Sequence, residues 1–190
     1  METGAKKKSN NNGSYRQKEI RVLHIDGDRE YLKMSMQIYG DLRLTARGHC
    51  IPEAMQPRQI EDHLYKYSPD FLVITGHDGF YQGKKYYTSQ HFIESVRIAR
   101  SYQPDPDELV IFAGACQSSY RRLINQGANY ASSPDNMLIH FMDPVLVVEK
   151  VAYTSISRIV SIKEVIENTI SGEGAIGGIE TRGKLRLCYP

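Results

Sequence analysis

The run Leu109-Val110-Ile111-Phe112-Ala113-Gly114-Ala115-Cys116-Gln117-Ser118 constrains this chain more than any other stretch. Four large apolar residues in succession, bounded by turn chemistry and far too short to span a bilayer, form the pattern of a parallel strand buried on both faces. Two small residues then let the backbone turn sharply into polar sequence. Cys116 therefore stands at the carboxyl end of a central strand, the edge at which open parallel sheets bind ligands and present side chains for chemistry. Free cysteine is also among the most often buried residues, so the competing reading of Cys116 is a small core hydrophobe. The polar Gln117-Ser118 that follows favours the reactive reading.

The same logic organises the rest of the chain. Residues 21–25 read as a first strand ended by Asp26-Gly27-Asp28, and apolar spacing at Leu32, Met36 and Tyr39 predicts a helix over 30–39. A second strand is expected within 42–50 and a helix over 58–67, stopped by Ser68-Pro69. A strongly apolar strand over 71–74 then runs into Thr75-Gly76-His77-Asp78-Gly79, and a helix over 89–102 leads back to the Cys116 strand. Beyond it the pattern predicts a helix over 117–126 with Gly127 just past its end, a short strand within 128–134 and an apolar run at 137–141. Helices follow from Asp143-Pro144 and over 162–170, then a glycine-rich loop over 172–183 and a last strand over 185–188. Strands alternating with helices at this spacing imply an α/β fold, a mostly parallel central sheet with helices on both faces. Residues 1–19, with Lys6-Lys7-Lys8 and Asn10-Asn11-Asn12 and almost no apolar side chains, read as a flexible tail or linker; residues 20–190 form one domain.

Composition removes several function classes. No apolar run approaches the roughly 20 residues of a membrane span, and the first residues lack the apolar segment of a secretion signal. Three widely spaced cysteines, Cys50, Cys116 and Cys188, make neither a disulfide framework nor a zinc pattern, which suits a reducing compartment. A formal net charge of +2 arising from local basic patches does not call for nucleic acid. His24, His49, His63, His91 and His140 show no metal-ligand spacing, and the glycine-rich end lacks the order of a phosphate loop, so neither a metal nor a cofactor is expected.

Two strands deliver reactive side chains to the same edge. His77 and Cys116 lie 39 residues apart, room for a loop, one crossover helix and a strand, which is a single right-handed βαβ step. Neighbouring strands run about 4.8 Å apart, so side chains just past their ends come within proton-transfer reach. In such a pair the imidazole assists thiolate formation and protonates the leaving amine, while the thiolate attacks a carbonyl carbon. Gly76 and Gly79 admit substrate backbone, and Gly76, Asp78, Gly79 and Ala115 supply candidate backbone donors for an oxyanion. Asp78 reads equally as a turn-forming residue, and no third member of the pair is evident.

These blocks carry a resemblance. Ile74-Thr75-Gly76-His77-Asp78-Gly79 followed by Val110-Ile111-Phe112-Ala113-Gly114-Ala115-Cys116-Gln117-Ser118 is similar to the His-then-Cys arrangement of the caspase, legumain, gingipain and clostripain clan of cysteine peptidases. More closely, residues 72–79, the Cys116 segment, Gly127-Ala128-Asn129-Tyr130-Ala131-Ser132-Ser133-Pro134 and Gly178-Ile179-Glu180-Thr181-Arg182-Gly183 resemble the YabG family of sporulation-specific proteases, over everything after about Ile20. The resemblance implies a caspase-like fold and a cysteine endopeptidase with Cys116 as nucleophile and His77 as general acid/base. It also implies spore coat and spore-associated precursor proteins as substrates, and a place in the mother-cell cytoplasm and the spore coat. The family's usual N-terminal domain is not in this sequence, so the resemblance reads the chain as the protease domain. Caspases place Gln-Ala-Cys before a glycine-containing turn, which this chain does not, so only the dyad logic carries over.

The resemblance further implies cleavage after arginine, which needs a carboxylate able to hold a guanidinium. Asp26 is the first candidate, with Asp28 and Asp143 behind it; helix capping competes at Asp28 and at Asp143 before Pro144. Ser132 and Ser133 are candidates for lining the same pocket, against plain loop solvation. Two rivals stand beside this reading. One is an amidotransferase-like cysteine hydrolase, which usually carries glycine on both sides of the nucleophile and its histidine after it. The other is a receiver-like or flavodoxin-like binding module, suggested by Val22-Leu23-His24-Ile25-Asp26-Gly27-Asp28.

Overall fold

Side chains alternate across each strand, and the apolar ones sort onto two faces of one sheet. The computed structural model describes residues 16–78, 80–81, 84–85 and 88–188. Its central sheet has six strands: β1 Arg21–Asp26, β2 Thr45–Cys50, β3 Phe71–Thr75, β4 Val110–Ala113, β5 Tyr130–Ser132 and β6 Ile176–Gly178. They lie in the order β6-β5-β4-β3-β1-β2. The first five run parallel and β6 pairs antiparallel with β5. This is the mostly parallel α/β sheet that the alternation of strands and helices predicts.

Each face carries its own core. Leu23, Ile25, Leu72, Ile74, Ile111 and Ala113 point to one side and meet Ile60 and Leu64 of α2 (Gln56–Tyr67), Phe92 and Val96 of α3 (Thr88–Tyr102) and Leu123 of α4 (Tyr120–Asn125). Val22, Phe71, Val73, Val110 and Phe112 point to the other and meet Tyr39 of α1 (Arg29–Asp41), Val147 and Val148 of α5 (Asp143–Ala152) and Val165 of α6 (Ile162–Glu167). Because β3 and β4 are covered on both sides, all of their residues are buried.

Two segments differ from the pattern-based expectation, and a third takes a form that the pattern left open. The glycine-rich stretch is not all loop, for Ile176–Gly178 forms the outermost strand. A side chain at Gly178 would run into the Asn129 carbonyl and one at Gly177 into the Tyr120 ring, so glycine is what lets this strand dock. The helix expected from 117 begins only at Tyr120, after a turn in which Gln117 has φ +58°. The apolar run 137–141, to which the pattern gave no element, crosses the carboxyl edge of the sheet as a loop leading into α5. Short antiparallel pairs frame the sheet: Arg16–Gln17 with Leu187–Cys188, and Ile159–Val160 with Thr181–Arg182. No helix among the described residues is long and apolar enough to cross a membrane.

Candidate active site

Strand register brings the two candidate side chains to one edge. Ile74 of β3 pairs with Ala113 of β4, and His77 and Cys116 each follow three residues further on. Both line a cavity of about 390 Å³. Its sheet side is Asp26, Thr75, Gly76 and Gly114; its far side is Tyr31 and Pro144 with the crossing loop at Ile139, His140 and Phe141. Tyr31 and Phe141 stack at 5.7 Å with their rings 14° apart, and Tyr31 also flanks the His77 ring at 6.1 Å.

The loop that carries Cys116 is held from both sides. Gly114 has φ +110°, a conformation in which a side chain is strained and would also strike Ser132 Oγ. Ser132 Oγ donates to the Ala115 carbonyl at 2.7 Å, and the Ala115 N–H donates to Ser118 Oγ at 2.8 Å. Ser118 in turn donates to Asp78 Oδ2 at 3.0 Å, and Ser89, at the start of α3, donates to the same oxygen while accepting the Ser119 N–H. Asp78 thus ties the histidine loop to the cysteine loop. Cys116 is partly exposed, and its Sγ accepts the Ile139 N–H at 3.4 Å.

His77 is held at two points. Its backbone N–H donates to Glu53 Oε1 at 2.7 Å, and its Nε2 lies 3.0 Å from Asp28 Oδ2. The Glu53 carboxylate occupies the space that side chains at Gly27 and Gly76 would fill. Asp28 caps α1, its Oδ1 accepting the N–H groups of Glu30 and Tyr31. Those backbone bonds, above all that of Tyr31, and the His77 contact hold the Asp28 carboxyl below its ordinary range.

Asp26 forms the floor, only 5% exposed. Behind it runs a chain with one consistent set of hydrogens: Thr75 Oγ1 donates to Asp26 Oδ2 at 2.7 Å and so accepts from His24 Nε2 at 2.8 Å, while Tyr39 donates to His24 Nδ1 at 3.4 Å. The Asp28 N–H donates to the other oxygen, Asp26 Oδ1, at 2.8 Å. Burial alone would push the Asp26 carboxyl up; His24, the Asp28 N–H and the Thr75 hydroxyl outweigh it and hold the group below its ordinary value.

The remaining candidates stand elsewhere. Asp143 is fully buried and accepts the backbone N–H groups of His140, Ile170 and Ser171, pinning the start of α5. Ser133 donates to the Met137 carbonyl from a residue at φ +68°. Neither lines the cavity, and Ser132 faces the Ala115 carbonyl rather than open space. Gly79 lies outside the described residues. Glu53, Tyr31 and Phe141 were not singled out by sequence pattern; Glu53 does follow the carboxyl end of a strand, the one signal that points to it. Among the described residues no group of three or more His, Cys, Asp or Glu converges as a metal site. A second depression, of about 290 Å³, lies at the amino edge of the sheet around Asp70, Asp107, Arg182 and Lys184, where Arg182 pairs with Asp107.

Comparison with known proteins gives this geometry a context. The sporulation-specific protease YabG of Bacillus subtilis (strain 168) is 46% identical over 178 residues, which cover 90% of this chain and 61% of that protein. The chain therefore spans about three-fifths of the length of the relative it matches. No solved structure matches it. The family described as YabG peptidase U57 matches residues 1–190, and with a match over its full length the chain belongs to the YabG peptidase family.

Proposed function

We propose that this chain is a cysteine endopeptidase of sporulation, with Cys116 as nucleophile and His77 as general acid/base. The observation that carries the reading is that these two residues follow the carboxyl ends of adjacent parallel strands and line one cavity. Family membership and the name of the Bacillus subtilis relative support a proteolytic role in the sporulating cell. The substrates are spore coat and spore-associated precursor proteins, met in the mother-cell cytoplasm and on the coat.

The chemistry follows from the two groups. His77 takes the thiol proton as Sγ bonds to the scissile carbonyl carbon, giving a tetrahedral intermediate whose oxygen is met by backbone N–H groups of the two loops. Collapse breaks the C–N bond, and the proton on His77 goes to the departing amine. Water, deprotonated by His77, then hydrolyses the thioester and restores both residues. Cleavage follows arginine. Asp26, ionised at the cavity floor, has two of its roughly four acceptor positions committed to the Asp28 N–H and the Thr75 hydroxyl, which leaves positions for a guanidinium. The stacked Tyr31 and Phe141 rings offer the planar cation an aromatic wall.

The test is a panel of peptides differing only in the residue before the scissile bond, read by mass spectrometry with wild type, Cys116→Ala and His77→Ala. Cleavage after arginine that each substitution lowers by at least about 1,000-fold is expected. Activity surviving Cys116→Ala would remove the mechanism, and cleavage after some other residue would remove the role given to Asp26.

A further inference from the structure

The register that places His77 beside Cys116 continues one strand further. Asp26 of β1 pairs with Thr75 of β3, so two residues on, Asp28 stands beside His77 just as His77 stands beside Cys116. Asp28, His77 and Cys116 thus follow the ends of three adjacent parallel strands, and the first two are in contact, Asp28 Oδ2 lying 3.0 Å from His77 Nε2.

The contact has a defined direction. An ionised carboxylate only accepts, so Nε2 carries the hydrogen and donates it to Asp28. In the neutral ring the lone pair is then on Nδ1. The carboxylate cannot drift away from the ring, because its other oxygen is committed to the first turn of α1 through the Glu30 and Tyr31 N–H groups. Tyr31, set by that same turn, lies against the ring from the side. The backbone of His77 is anchored separately by Glu53.

We propose that Asp28 is a positioning residue for His77: one oxygen fixes the ring with its hydrogen on Nε2, so that Nδ1 is the atom that takes the Cys116 proton, and the other ties that setting to α1. This rests on the Cys116–His77 reading above and adds a third residue to it. As Sγ attacks, its proton passes to Nδ1, and the positive charge that appears on the ring is met at Nε2 by the Asp28 carboxylate. The same Nδ1 proton leaves with the amine, and Asp28 stays ionised throughout. The N-cap is then a consequence of this placement as much as its purpose, since a cap alone is equally well supplied by asparagine or serine.

That equivalence gives the test. Asp28→Asn keeps a capping side chain and loses the charge; Asp28→Ser keeps the cap and loses the reach. Both are compared with wild type, His77→Ala and Cys116→Ala in peptide hydrolysis, with kcat and KM measured separately, and in thermal melting. The groups facing the ring are Asp28 from the β1–α1 turn, Tyr31 from α1, Glu53 from the short helix before α2, and Cys116, His140 and Asp26 across the cavity. Asp28→Asn and Asp28→Ser change Asp28 alone and leave the others in place. In Asp28→Asn hydrolysis is expected to fall about 10- to 100-fold, in kcat rather than KM, with the melting temperature within a few degrees of wild type. Asp28→Ser should show the same kinetic loss. A loss confined to KM, or hydrolysis within twofold of wild type in either variant, overturns the role of Asp28 while leaving the dyad in place. Full activity in His77→Ala or Cys116→Ala overturns the dyad itself and this inference with it.

Discussion

At the residue scale the most consequential group is Asp26, a buried carboxylate kept ionised by partners arranged around it. Its carboxyl is held below its unfolded value, so the stabilisation it provides is present above about pH 4 and is lost as pH falls through the lower, folded value. Asp26→Asn is expected to cost about 1.5–3 kcal/mol at neutral pH, the range for hydrogen bonds to a charged group. It should also flatten the fall in melting temperature between about pH 5 and pH 3, measured by calorimetry, because the substituted residue has no proton to gain. A wild-type melting temperature that declines in parallel with that of the variant would show that another carboxylate governs acid stability. The two residues at the heart of the site, His77 and Cys116, were legible because each follows a strand of unmistakable apolar character. Asp28 was legible as a turn and a cap, and its second oxygen was not: a contact between residues 49 positions apart depends on which strands become neighbours. Glu53 was silent for a related reason, since its segment carries neither periodicity nor a motif.

Among the elements, the end of α3 shows how the layers are fastened. Arg100, partly buried there, donates to the carbonyls of Gln103, Asp105, Leu109 and Gly127 and to Asn129 Oδ1. One guanidinium therefore gathers the helix end, the approach to β4 and the approach to β5. Burial is sufficient to bring its proton affinity down to about 10 against the opposing pull of Asp105, so it remains charged at neutral pH. Arg100→Ala strands several carbonyls and is expected to destabilise the fold by about 3–5 kcal/mol in urea denaturation. Arg100→Lys should recover only part of that, because an ammonium has three donors and no fork. The helices and inner strands were readable from apolar spacing, whereas β6 was not. Its Gly177 and Gly178 are there for the close approach of Tyr120 and the Asn129 carbonyl, a requirement that looks like loop composition until the neighbour is known. The apolar run 137–141 carried no element in the sequence pattern, and its purpose shows only in three dimensions. Its apolar residues line the candidate cavity, as Ile139 and Phe141 do.

Over the whole molecule, two separate apolar cores clamp a single sheet, and the pairing of that sheet sets the spacing of every group at its carboxyl edge. A slip of one residue between β3 and β4 would exchange the two faces of a strand, so the burial that stabilises the fold also fixes the alignment of His77 with Cys116. Unfolding in urea followed through the thirteen tyrosines, in a chain without tryptophan, should therefore coincide with loss of peptide hydrolysis. The two midpoints are expected to agree within about 0.3 M. Hydrolysis lost well before the tyrosine signal changes would mean that the site opens independently of the sheet.

That common origin bears on timing. Where a nucleophile and its base arrive on loops that must later close, a cell can hold an enzyme in check by keeping the loops apart. Here the two proposed residues stand beyond one stretch of hydrogen-bonded ladder between neighbouring strands, so under the proposed dyad this domain's folding itself sets their placement. The way in between them would then run past the loop that carries Ile139.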